Sequence, residues 1–196
     1  MPDARTIYTV GYSTHELDDF LAILSRHAIT AVADVRSHPT ARLECYRQAN
    51  LREHLRAVGI VYVFLGRELG ARRDEPECYA GGQAVYDRVA RLPAFADGLA
   101  RLERGAAEHR IALMCAERDP LDCHRGVLIA PELTRRGHHV RHLMADGQIE
   151  DHPATEQRMI ARVGVDPLFD TDLGPAELKR RAYAERGREI AHRRSG

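Results

Sequence analysis

The sequence carries no net charge: 29 lysines and arginines offset 29 aspartates and glutamates, with eleven histidines outside the count. No global field therefore steers the chain toward nucleic acid or an anionic surface, although a zero total is compatible with a local basic groove. It has no apolar stretch of about eighteen residues, which a membrane helix needs. Its start, Met1-Pro2-Asp3-Ala4-Arg5, lacks a signal-peptide pattern. The expectation is a cytoplasmic protein with no membrane partner. Cysteine is scarce and unevenly placed, at Cys45, Cys78, Cys115 and Cys123. Without an export signal, that pattern speaks for free thiols, metal ligands or catalytic groups rather than a disulfide framework. No internal repeat or low-complexity tract breaks the 196 residues, so one domain with an appendage is the natural reading.

Short apolar runs of β type alternate with helical patterns. Thr6 to Val10 is followed by a helix with Leu17, Phe20, Leu21 and Leu24 on one face, then by Ala31 to Val35. A second helix, marked by Leu51, Leu55 and Val58, stops at Gly59 before a strand at Ile60 to Leu65. Helices near 85–92 and 95–108 lead to a fourth strand at Ile111, and His139 to Leu143 is a fifth. This predicts an α/β fold: a three-layer open sheet of about five mostly parallel strands, helices on both faces, and a helical C-terminal extension. The expected division is 1–153 for the α/β domain and 154–196 for the extension.

Strand exits on one edge of such a sheet are where ligands bind, and four of them carry polar groups. After the first strand, Ser13 and Glu16 have capping-box spacing, with Tyr12 and Leu17 as the flanking hydrophobic pair. Ser13 either caps that helix or presents its N-terminus to an anion. After the second, Asp34 and Arg36 share a side by alternation. They form an ion pair or turn cap, or they join a pocket where Arg36 offers a planar fork to an anion. After the third, a long connection over 66–82 with Arg72-Arg73 reads as a binding loop or a solvated charge run.

The densest signal follows the fourth strand: Cys115-Ala116-Glu117-Arg118-Asp119-Pro120-Leu121-Asp122-Cys123-His124-Arg125. Three chemistries compete for it. A metal could be held by Cys115, Cys123 or His124 with a remote ligand such as His15, although this is no familiar zinc spacing. Alternatively, Asp122 caps the next helix and leaves Cys123 in its first turn, where the dipole and Arg125 lower its pKa. Glu117 then serves as general acid or base if burial raises its own. In the third, Cys115 only packs while His124 and Arg125 bind an anion. Arg125 lies ten residues after Cys115, so the short cysteine-to-arginine loop of phosphatases is not matched. Cys45 and Cys78 are read as incidental.

These residues resemble the domain of unknown function 488 family. The resemblance runs through Gly11-Tyr12-Ser13-Thr14, Asp34-Val35-Arg36, Leu65-Gly66 with Leu69-Gly70, Cys115-Ala116-Glu117 with Pro120, and Cys123-His124-Arg125. It spans about 5–153, including His152-Pro153. It implies a site made of Ser13, Asp34, Arg36, Cys115, Glu117, Cys123, His124 and Arg125, and it supplies no reaction. Tyr12 stands where many relatives are expected to have histidine, and Pro131 interrupts the fourth helix, where it should kink the helix or shift its start.

Beyond 153, two helical segments break at Gly174-Pro175, and the second is rich in arginine. It is a solvated surface helix or a contact for nucleic acid or an acidic partner. The functional expectation is an enzyme for a small anionic, nucleotide-like substrate. Cys115, Glu117, Cys123 and His124 are its candidate catalytic groups, with Ser13, Asp34, Arg36 and Arg125 binding the substrate. The alternative is a non-catalytic sensor module that binds a nucleotide, metal or nucleic acid. No cofactor is specified.

Overall fold

Each of the five apolar runs forms a strand. The computed structural model describes residues 5–13, 15–163 and 174–194. Thr14 of the first motif, Met1 to Ala4, residues 164–173 of the extension and the last two positions lie outside the described residues. The order is β1 (Thr6–Gly11), α1 (Leu17–Arg26), β2 (Ala31–Asp34), α2 (Gln48–Ala57), β3 (Val61–Phe64) and α3 (Gly66–Leu69). A small hairpin follows, β4 (Tyr79–Ala80) and β5 (Gln83–Ala84), then α4 (Tyr86–Val89), α5 (Pro93–Gly105), β6 (Ile111–Cys115) and α6 (Ala130–Arg135). The chain continues with β7 (His139–Leu143), β8 (Ile149–Asp151), α7 (His152–Arg162) and α8 (Pro175–Ile190).

The main sheet has six strands in the order β3-β2-β6-β1-β7-β8, parallel except for β8, which runs against β7. The five expected strands are joined by a sixth, β8, at the edge. Ile149-Glu150-Asp151 has one apolar residue and no alternation, so periodicity could not mark it. Gly147, at φ 78°, lets the chain reverse out of β7.

Alternation along the strands feeds two cores. Tyr8, Val10, Val32, Ala112 and Met114 pack with Phe20 and Leu24 of α1 and Leu51 and Leu55 of α2. Ile7, Ala31, Ala33, Ile111 and Leu113 pack with Phe95, Leu99 and Leu102 of α5 and Leu128 and Leu133 near α6. Each fully buried Leu or Phe contributes about 1.5–3 kcal/mol, so these facing sets dominate the stability. The connections after β1 and β2 thus lie on one face, and those after β3 and β6 on the other. β6 sits between β2 and β1, so its exit opens at the place where the connections diverge, the usual crevice of an open parallel sheet.

The extension is built into the fold. The expected boundary at 153 falls within α7, and Leu121 of the β6 exit loop forms a third small core with Met159 of α7 and Ala182 of α8. Arg193 makes an isolated bridge to Gln83, tying the end of the described chain to the small hairpin.

Candidate functional site

Backbone pairing continues beyond the strands and shapes the site. Tyr12 N–H donates to Cys115 O at 3.2 Å and Ser13 N–H to Ala116 O at 2.9 Å, so the chain after β1 stays extended against the β6 exit. The expected capping box is therefore not formed. α1 begins at Leu17, its N-cap residue is Glu16, and no side chain caps it. Ser13 is exposed. The approach is close enough that a Cβ at Gly11 would lie 1.9 Å from Glu117 O, which only glycine avoids.

Past Cys115 the loop turns through a 3₁₀ segment, Pro120–Asp122, whose N-cap Asp119 accepts from Leu121 N–H at 2.9 Å. Cys123 then has extended backbone and Arg125–Ile129 forms a π-helical turn before α6. Cys123 is thus not in a helical first turn capped by Asp122, which corrects that expectation. Pro131 lies in the first turn of α6. It has no N–H to continue an α-helical ladder backward, and the widened turn precedes it.

Arg125 is fully buried and spent on the loop. Its Nη1 donates to Glu117 O at 2.7 Å, its Nη2 to Arg118 O at 3.0 Å and its Nε to Thr9 Oγ1 at 3.3 Å. Arg125 therefore holds the loop, with no exposed surface of its own and no place in the cleft lining. From outside, Arg158 of α7 pairs with Asp119 and Glu150, and Arg186 of α8 donates to Leu121 O and pairs with Asp122.

Within this brace the reactive groups converge. Sγ of Cys115, Sγ of Cys123 and one ring nitrogen of His124 all lie within 4.8 Å of one another, the only such group of metal-ligating atoms among the described residues. Nδ1 of His124 is 3.8 Å from Cys115 Sγ and 3.7 Å from Cys123 Sγ. His124 Nε2 lies 3.0 Å from Val35 O. A carbonyl only accepts, so Nε2 carries the proton and the Nδ1 lone pair faces the thiols. Cys115 donates to Glu117 Oε2 at 3.3 Å. His15 and the thiols of Cys45 and Cys78 lie outside this group.

The titrations differ within the cluster. The hydrogen bond with Cys123, together with burial, holds the Cys115 thiol well above the usual range. Burial would raise Cys123 as well, but the neighbouring Cys115 thiol and the charges of Arg125 and His124 outweigh it and bring Cys123 down. Burial, then the negative Cys123, raises Glu117. Burial disfavours charge on His124, yet the Cys123 thiolate beside it raises its pKa.

Asp34 and Arg36 form a buried ion pair. Arg36 Nε and Nη2 donate to the two carboxylate oxygens at 2.9 and 2.6 Å, Nη1 donates to Tyr46 O at 2.9 Å, and Tyr62 OH donates to Asp34 at 2.7 Å. The guanidinium lies over the Tyr12 ring, 5.1 Å from its centroid. Asp34 has no exposed surface. It orients Arg36 and does not itself line the cleft.

A polar cleft of about 430 Å³ opens above the cluster. Cys115, Glu117 and His124 form its floor, and Arg36 with Tyr12 forms one wall. Arg72 of the long connection and His192 beyond α8 also line it. Sequence reasoning passed over Tyr12 as a binding residue and His192 altogether. Arg73, by contrast, is buried and paired with Glu75. On α8, Arg180, Arg186 and Arg188 pair with Glu177, Asp122 with Glu189, and Glu185. The helix surface is a lattice of ion pairs rather than a bare basic stripe. No helix among the described residues is long and apolar enough to cross a membrane.

A family model described as Domain of unknown function DUF488 matches residues 16–130, from the start of α1 to that of α6. The match includes Asp34, Arg36 and the whole Cys115–Arg125 loop. The motifs at Gly11–Ser13 and His152-Pro153 lie beyond it. Neither the curated proteins nor the solved structures contain a match to the chain. The loop and the match together assign the chain to the DUF488 family, a domain of unknown function.

Proposed function

We propose that this chain is an enzyme acting on a small anionic, nucleotide-like substrate in the cleft above Cys115, Glu117, Cys123 and His124. One observation carries the reading: a carboxylate, a thiol and an imidazole form the floor of a cleft whose walls carry Arg36, Arg72 and His192. The volume of about 430 Å³ suits a small molecule. Arg36, held rigid by Asp34 and Tyr46, and Arg72 bind the anion. Glu117 moves a proton to or from the reacting group. The thiols need a reducing compartment, which fits the cytoplasm. The paired arginines of α8 favour a small ligand over nucleic acid.

Incubation with nucleoside phosphates, sugar phosphates and small carboxylates, followed by mass spectrometry, tests the reading. The expected result is turnover of one class, with Glu117→Gln lowering kcat by about 100-fold or more and Arg36→Met acting mainly on KM. A ligand that raises Tm and is recovered intact after long incubation would instead establish a binding module. Unchanged turnover in Glu117→Gln would overturn its assigned part.

A further inference from the structure

Cys115 and His124 at the cleft floor, with Cys123 buried beside them, have the form of a metal site. In a tetrahedral zinc centre with Zn–S of about 2.3 Å and Zn–N of about 2.0–2.1 Å, adjacent sulfur and nitrogen ligands stand roughly 3.6 Å apart. The two sulfur-to-Nδ1 separations are 3.8 and 3.7 Å. The imidazole is set as metal-bound histidines are, with its far N–H committed to a backbone carbonyl, Val35 O at 3.0 Å, and its lone pair turned inward. Two thiols and one imidazole are a soft donor set that selects zinc over magnesium or calcium.

We infer that Cys115, Cys123 and His124 bind one Zn²⁺ and leave its fourth position open toward Glu117 and the cleft. Binding releases to solvent whatever protons the two Sγ atoms and Nδ1 carry, and two thiolates with a neutral imidazole balance the charge of the ion. The loop is already braced by Arg125, Arg158 and Arg186, so little ordering remains to oppose binding. Three protein ligands beside an open position is the arrangement of catalytic rather than structural zinc. Glu117, whose Oε2 lies 3.3 Å from Cys115 Sγ, would stand where it can take the proton of a water held at that position. This last role rests on the proposed enzymatic function; occupancy by the ion does not.

The test uses the full chain, purified without an affinity tag, reduced, exposed to excess Zn²⁺ and desalted. Elemental analysis is expected to find about one zinc per chain. Co²⁺ in its place is expected to give tetrahedral visible bands with sulfur-to-metal charge transfer. Cys115→Ser, Cys123→Ser and His124→Ala should each lose the metal, with folding followed by circular dichroism, whereas Glu117→Gln and Cys45→Ser should keep it. A folded, reduced wild type retaining less than about one-tenth equivalent overturns the site, as does undiminished zinc in the cysteine variants. Turnover by fully zinc-stripped protein removes the metal from catalysis and leaves the enzyme assignment standing. Stoichiometric zinc with no turnover of any anion does the reverse.

Discussion

Two buried polar clusters meet at Arg125, and they are built on opposite rules. On one side, Cys115, Cys123 and His124 point their ligand atoms at one another. On the other, a hydrogen-bonded chain runs away from the site. Thr9 Oγ1 lies 2.7 Å from His142 Nδ1, His142 Nε2 is 3.0 Å from His152 Nδ1, and His152 Nε2 is 2.8 Å from Tyr183 OH. Tyr183 in turn donates to Glu156 Oε1 at 2.9 Å. One ordering satisfies every member. Arg125 donates to Thr9, Thr9 to His142, His142 to His152, His152 to Tyr183, and Tyr183 to Glu156, with both histidines neutral. A buried network that closes its own donor count is a structural joint, here fastening α7 and α8 to the sheet. A buried cluster whose ligand atoms converge on one another has the arrangement of a metal-binding site.

That comparison is broken most severely at the shared residue. Arg125→Leu leaves the Glu117 and Arg118 carbonyls without their donor inside the fold. Urea unfolding should show a loss of about 3–5 kcal/mol. A loss under about 1 kcal/mol would mean that the loop stands without it.

Acid attacks the joint next. Burial lowers the His152 pKa to about 4, against the raising charges of Glu156 and Glu150, and burial holds His142 well below the usual range. The folded state thus binds fewer protons than the unfolded chain, whose histidines titrate near 6.5. Stability is full above about pH 6.5 and falls as pH drops toward 4, by on the order of 3 kcal/mol for His152. Chemical denaturation at stepped pH checks this, and His152→Gln should flatten the profile. A profile of the same slope in that variant would locate the acid sensitivity elsewhere.

Tyr183→Phe removes one link and should cost about 1–2 kcal/mol in the same assay. The smallest structural effect belongs to the other cluster. Cys115→Ala should change stability by about 1 kcal/mol or less while abolishing turnover and metal retention. Equal destabilisation by Tyr183→Phe and Cys115→Ala, with function retained in the latter, would erase the distinction between the two clusters.

The strands were legible because alternation and the Gly59 stop are local signals. Gly59 adopts φ 75°, and its N–H closes the end of α2 on Arg56 O. The gathering of the site groups at one sheet edge was also legible, since chain order and right-handed crossovers bring those exits together. Ser13 was misread because capping chemistry is local, while its backbone is claimed by Ala116, about a hundred positions away. The hold of Arg125 on the loop was hidden for a related reason. A guanidinium in a loop looks like an anion binder, and only the fold shows that backbone carbonyls occupy it. The histidine chain left no trace, because its members are scattered over two strands and two helices with no common spacing.

The pairing of Lys179 with Glu156, at 2.7 Å, fastens the outer end of that chain. Lys179 is also the single lysine among the 196 residues. An amine-reactive probe therefore has one side-chain address on this protein, at the carboxylate that receives the Tyr183 hydrogen bond. A fluorophore or isotope-coded acetyl group placed there would report on the clasp between α8 and the sheet without touching the cleft.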